Sequence, residues 1–497
     1  MGIIKKQGII NTVLVYTGTL IGFVSLLFIQ PVFLSKEELG LTRMILGFAA
    51  VMSILFSFGI SAVTIRYLPR AFGKDHKHRG FFGFVLIYTT ISVIVGLIVL
   101  LAAKGLIFRF YANGSQQFVQ HFNFVILLTI INAYILGLNS YCIALLKTTF
   151  TTFLNDVLSK ILFIVIIFLH FWGYLNLEQF LFAFCMTYGI TCILLIVNIF
   201  FIDRPGFVPD HKYIQENIGF RPIIRYGIII TVTAMNSVGL KYLDTLFVGA
   251  ISEGHAGIYS VAAFIGLMIE MPLNALERIA NPSIAHAMAS KNMKEIKNIY
   301  YLSSRFLLLL GGWLFIMVIS NIHDLLTFLP TDYREGALVT IFISCGALIN
   351  MATGINYPIL VNSDKYIWGS VFNISLLVMT VVGNILLIPI IGMLGAAVTS
   401  FAASSIYNIL KFLFIKKRFQ LQPFDLKSLY VFLLILLLAV AGYFVQLDFL
   451  PVFSIMTKVI ILSLIYFGIV IISKWVSDLY QYVPAFLKNR FKFFNEN

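Results

Sequence analysis

Residues Arg225–Ile284 read RYGIIITVTAMNSVGLKYLDTLFVGAISEGHAGIYSVAAFIGLMIEMPLNALERIANPSI, two apolar runs that still carry Lys241, Asp244, Glu270, Glu277 and Arg278. Each run is long enough to cross a bilayer as a helix. A charge at the bilayer centre costs roughly 2.5–3.5 kcal/mol on insertion scales, so such side chains face a bundle interior or a watery cavity. Their spacing agrees: Thr233, Ser237, Lys241 and Asp244 share one helical face, as do Glu270, Asn274, Glu277 and Asn281. Two polar stripes inside a hydrophobic bundle are what a path for a hydrophilic group through lipid requires.

The rest of the chain extends this reading. Of its 497 residues, 60% are hydrophobic and 11% charged, and mean hydropathy is +0.96. A soluble protein of this length has no interior large enough for so much apolar surface, so the chain is a polytopic membrane protein. The runs lack the alternation of a barrel, which makes the fold class all-α. Fourteen spans are predicted, at about 9–34, 44–65, 81–103, 123–146, 157–175, 179–202, 226–250, 258–281, 303–321, 337–360, 367–390, 394–415, 428–447 and 454–474. Lys5 and Lys6 before the first run imitate a signal peptide, but the run from Ile9 to Leu34 exceeds an h-region and has no small-residue cleavage site, so it is kept as a span.

The formal charge of +14 raises nucleic acid as a partner, yet most Lys and Arg lie in short segments between spans, as anionic headgroups and topology control demand. No nucleic-acid role is inferred. With the N-terminus in the cytoplasm, the basic segments Arg66–Arg79, Arg204–Arg225, Lys291–Arg305, Lys411–Lys427 and Lys474–Lys492 all fall inside, which places both termini in the cytoplasm. The four cysteines, Cys142, Cys185, Cys192 and Cys345, sit within apolar runs and read as small core residues, not as a disulfide or metal framework. Neither a cofactor nor a metal is implied.

An internal repeat supports the span count. Ser35–Gly40 closes the first span and Ser252–Gly257 the seventh, while Asn155 and Asn373 recur at nearly the same offset. The predicted organisation is an N-terminal lobe over 1–202, a cytoplasmic linker over 203–225, a C-terminal lobe over 226–415, two appended helices over 428–474 and a tail from 475. Parallel repeats of six helices place the substrate at the lobe interface near the midplane.

Three segments carry a family resemblance: Phe33–Leu41, Lys241–Gly249 with Ala256–Val261, and Asn384–Ala397. They resemble the polysaccharide-biosynthesis branch of the multidrug/oligosaccharidyl-lipid/polysaccharide exporter superfamily, the O-antigen and capsule repeat-unit flippases. The resemblance implies a two-lobed transporter of the bacterial plasma (inner) membrane that moves an undecaprenyl-diphosphate-linked oligosaccharide to the outer leaflet by alternating access. Its partners are then the lipid-linked oligosaccharide and membrane lipids, with H+ or Na+ as candidate coupling ions.

Candidate substrate-binding residues are Lys241, Asp244, Glu270, Arg43 and Arg66, with Glu277 and Arg278 at a gate or in a structural role. Lys241 lies about 24 Å from the inner end of its helix and Glu270 about 18 Å from the outer end of its own. Each has a plainer reading. Lys241 and Asp244, three residues apart, also suit a structural ion pair. Arg43, which opens the second span, and Arg66 suit snorkelling at span ends. Asn132 and Asn139 share a face of the fourth span, and Asn350 and Tyr357 of the tenth, where interhelical hydrogen bonds serve as well as sugar contacts.

Competing functions are a cation-coupled multidrug exporter of the same superfamily, a lipid II flippase, and a membrane-embedded polysaccharide polymerase or ligase. The exporter wants an acid in its first helix and the lipid II flippase an arginine there, and no charge lies between Gly8 and Leu34. The enzyme wants a large outer loop bearing Arg or His, whereas the longest here holds only Lys104, Arg109 and His121. There is no Gly-x-x-x-x-Gly-Lys-Ser/Thr motif for a nucleotide.

Overall fold

A reciprocal cap starts the second helix. The Glu38 backbone N–H donates to Ser35 Oγ at 3.2 Å, and the Ser35 N–H donates to Glu38 Oε2 at 2.9 Å. Such a box satisfies donors that a helix start leaves open, and it moves the helix start to Lys36, well before the predicted 44. The same device opens helices at Asn176 with Gln179 and at Asp425 with Ser428.

The computed structural model describes residues 2–72, 78–203, 205–217 and 219–473, with backbone alone for 2–6, 211, 217 and 237. Among these residues there is no strand. The long helices are α1 (Gln7–Phe33), α2 (Lys36–Ser57), α3 (His78–Tyr111), α4 (Phe122–Ala144), α5 (Thr149–Phe171), α6 (Leu177–Ile202), α7 (Phe220–Gly249), α8 (Glu253–Ala289), α9 (Met293–Leu326), α10 (Thr331–Ala352), α11 (Tyr366–Ile391), α12 (Met393–Phe419), α13 (Leu426–Phe444) and α14 (Pro451–Ile472). Thirteen are long and apolar enough to cross a membrane, and α7, bent by 52° between Phe220–Asn236 and Val238–Gly249, makes the fourteenth. The side chain of Ser237, the loop histidine His76 and the tail from 475 lie outside the described residues.

The chain divides into two compact units, Met1–Ser260 and Val261–Asn497. The boundary runs through α8 because α7 packs along α2 in the first unit. The 203–225 linker is a statement about duplication, a different criterion, and stands as a proposal.

Helix breaks fall where backbones meet. Phe58 and Gly59 have φ of 42° and 68°, which ends α2 before a short continuation, Ile60–Tyr67. A Cβ on Gly59 would lie 2.5 Å from the Gly227 carbonyl oxygen of α7, so the crossing needs glycine. In the second unit Gly354, φ 67°, ends α10 and a separate turn, Asn356–Val361, follows. Asn350 and Tyr357 are therefore not on one continuous helix, contrary to the reading of 337–360 as a single span.

The repeated motif is also a contact. A Cβ on Gly40 would lie 1.8 Å from the Glu253 carbonyl oxygen, and one on Gly257 2.2 Å from that of Lys36. The glycines that close the two sequence repeats thus let the starts of α2 and α8 touch backbone to backbone. The appended helices α13 and α14 both pack along α9 in the second unit.

Candidate functional site

In the first unit, charges gather at span depth. Arg43 lies about 10 Å inside α2, since that helix begins at Lys36, which corrects its expected place at the opening of the span. It donates through Nη2 to Gln30 Oε1 on α1, and Gln30 Nε2 donates to Ser25 Oγ at 2.9 Å. Ser25 begins a π-helical turn, Ser25–Ile29, just ahead of Pro31. Such turns recur at functional sites because the extra residue re-aims side chains.

Lys160 on α5 completes the set and escaped the sequence reading. Its Nζ donates to the Gly18 carbonyl of α1 at 2.8 Å. The helices come this close because position 18 lacks a side chain: a Cβ there would lie 2.2 Å from the Asp156 carbonyl oxygen. Asp156 sits in a second π turn, Phe153–Leu158. Lys160 and Lys241 are near enough for their charges to repel, and Tyr188 of α6 feels both Arg43 and Tyr242. Five helices, α1, α2, α5, α6 and α7, thereby bring Arg43, Lys160 and Lys241 into one neighbourhood. Lys241 itself is exposed on its unit, with Nζ 5.2 Å from the Tyr242 ring centre. Asp244 accepts from the Tyr259 hydroxyl at 2.8 Å. Arg66 stands apart, exposed and 4.5 Å from the centre of the Tyr226 ring.

In the second unit the arrangement is a closed polar network. Glu270 ends a 3-10 turn, Met268–Glu270, and its Oε1 accepts from Asn350 Nδ2 at 3.1 Å. Lys411, predicted to belong to a cytoplasmic basic segment, is instead buried in α12 at 3% exposure, near enough to attract both Glu277 and Glu270. Its Nζ sits 3.9 Å from the Tyr407 ring centre, and Tyr407 donates to Asn373 Oδ1 at 2.6 Å. Thr353 Oγ1 donates to Asn408 Oδ1 at 3.3 Å. Glu277 is half-buried and Arg278 exposed.

The duplicated asparagines hold matching positions. Asn155 donates to Asn139 at 3.0 Å and Asn373 to Tyr357 at 3.5 Å, each reaching back 16 positions. Two further ion pairs tie helices together without lying among the predicted residues: Lys458 of α14 with Asp324 of α9 at 2.9 Å, and Arg305 of α9 with Asp425 at 3.6 Å. Among the described residues, no cluster of three His, Cys, Asp or Glu is able to hold a metal.

A model of the family described as polysaccharide biosynthesis protein matches residues 4–278, more than half of the chain. The chain belongs to this family. An uncharacterized membrane protein of Methanocaldococcus jannaschii is 25% identical over 475 residues, covering 88% of each chain. The fold is similar to that of the lipid II flippase MurJ in an inward closed conformation, with a TM-score of 0.69 and 16% identity over 95% of this chain and 99% of that one. It is also similar to an inward-facing multidrug-resistance MATE transporter of the MOP superfamily, with a TM-score of 0.63 and 15% identity over 81% and 94%. Family and fold together make this protein a multi-pass helical membrane protein of the polysaccharide-biosynthesis family, with the fold that MurJ and the MATE transporter share.

Proposed function

We propose that this member of the family flips an undecaprenyl-diphosphate-linked oligosaccharide from the cytoplasmic to the outer leaflet of the bacterial plasma membrane, in alternating access between two lobes of parallel topology. The observation that carries the reading is the gathering of Arg43, Lys160 and Lys241 at span depth in the first unit. A sugar diphosphate leaving water loses its hydration, and fixed cations offset that loss where hydrocarbon does not. Lysine supplies a point charge with three donors, suited to phosphate oxygens that turn as the lipid moves, while Arg43 is held in place by Gln30. Arg66, near the inner end on the orientation that the basic segments favour, would meet the headgroup first. Asp244 and the Glu270–Asn350 pair offer acceptors to sugar hydroxyls. The carboxylates Glu270 and Glu277 beside Lys411 are the place for a coupling H+ or Na+, with Arg278 at the headgroup region.

Proteoliposomes loaded with a fluorescent polyprenyl-diphosphate oligosaccharide test this. Protein-dependent loss of leaflet asymmetry is the expected result, slowed by excess diphosphate headgroup. Transport of cationic drugs with no lipid movement would instead establish the multidrug-exporter reading, against which the uncharged α1 already counts.

A further inference from the structure

His170, in the last turn of α5, has an acceptor at each ring nitrogen. Nδ1 lies 2.8 Å from the Leu175 carbonyl oxygen and Nε2 3.0 Å from Glu38 Oε1. A neutral imidazole carries one N–H and serves one of these acceptors, whereas imidazolium serves both. The other Glu38 oxygen already accepts from Ser35 N–H in the cap of α2. The helix end adds its own preference, because the open carbonyls there attract positive charge. The ring stacks on Phe180 of α6 at 4.6 Å, and the two side chains keep 15% and 23% of their exposure, so water reaches the pair without flooding it. The remaining charged groups on the packed elements are Lys36 and Glu37 in the first turn of α2, with Arg43 farther along it, Asp156 and Lys160 on α5, Glu178 in the first turn of α6, and Glu253 and His255 at the start of α8, which meets the start of α2; α1 carries none.

We propose that His170 and Glu38 form a proton-dependent latch that fastens the corner between α1 and α2 to the corner between α5 and α6. Nothing in the substrate reading requires it. The closed pair holds one proton more than a neutral ring facing a carboxylate, wherever between the two groups that proton resides. By linkage, acidification therefore closes the latch and alkalinisation releases it.

Hydrogen–deuterium exchange of the full chain in lipid nanodiscs, near pH 6 and near pH 8 and corrected for intrinsic exchange, reads the latch at the amides of 34–39 and 170–176. The wild type should be about tenfold better protected at the lower pH, the effect of one charge-assisted hydrogen bond. His170→Gln should remove the difference while the middle of α5 stays protected. Glu38→Gln is the sharper variant. Glutamine still caps at this position, and its amide N–H donates to a neutral Nε2 while Nδ1–H serves Leu175, so protection should persist near pH 8. A wild type indifferent to pH, a difference that survives His170→Gln, or an unchanged pH dependence in Glu38→Gln would each overturn the proposal.

Discussion

The polar cluster around Lys160 in the first unit and the one around Lys411 in the second are built from similar helices with different charge. In the first, Arg43, Lys160 and Lys241 outnumber Asp156 and Asp244, and the lysines rest on a backbone carbonyl or stand exposed. In the second, Glu270 and Glu277 outnumber Lys411, and that lysine is buried among Tyr407, Asn373 and Asn350 partners. Both units keep the asparagine that reaches back 16 positions, so the scaffold is shared while the charge of these two clusters differs. The lesson is that one repeated scaffold serves two purposes: an excess cation left reachable suits an anionic cargo, and a carboxylate–lysine network suits holding helices together or receiving a small cation.

The difference predicts opposite responses to losing a lysine. Lys411→Met leaves two carboxylates without their buried cation and should cost about 3–5 kcal/mol of stability, read as a large fall in thermal midpoint of purified protein. Adding Glu277→Gln should recover much of it, because fewer charges then need compensation. If Lys411→Met left the midpoint unchanged, Lys411 would not be compensating the charge of Glu270 and Glu277.

Packing offers the next test. Gly40→Ala and Gly257→Ala each put a methyl group against a carbonyl oxygen of the opposing helix start, and overpacking of this kind should cost roughly 1–3 kcal/mol. Melting curves for the two single variants and the pair check it; the pair should cost less than the sum, since both act at one crossing.

A weaker contribution links α9 to the start of α13. Burial pushes the Asp425 carboxyl up, but bonds from the Ser428 hydroxyl and N–H and from Tyr301, with the Arg305 charge, bring it below the usual carboxylate range. A depressed folded value contributes stability that is fully present above the unfolded pKa of about 3.9 and is lost as pH falls through the folded value. Asp425→Asn should therefore cost under about 1 kcal/mol at neutral pH, given the exposure of the site, and progressively less in acid as pH falls through the depressed folded value. Denaturant titrations at neutral and acid pH measure the difference.

How much of this was legible in the sequence depends on range. The fourteen spans follow from apolar runs alone, and the Gly40 and Gly257 repeats from short motifs, because both are local signals. Arg43 was misplaced because hydropathy ignores the Ser35–Glu38 cap that starts α2 early. Lys160, Lys411 and Lys458 stand in the sequence inside or at the edge of apolar runs, a visible sign of burial, yet their partners at Gly18, Glu277 and Asp324 depend on helix rotation and on neighbours far along the chain. The same holds for Glu270, whose partner Asn350 lies 80 positions on.

The claim that cations of the first unit serve the cargo is tested most directly by complementation of a strain lacking its lipid-linked oligosaccharide flippase, at matched protein abundance. Lys241→Met should lower complementation by about tenfold, in keeping with the loss of one charge-assisted contact, and adding Asp244→Leu should leave it low. Recovery in the double variant would mean that Lys241 and Asp244 merely balance each other, and would contradict the assignment of Lys241 to the transported headgroup.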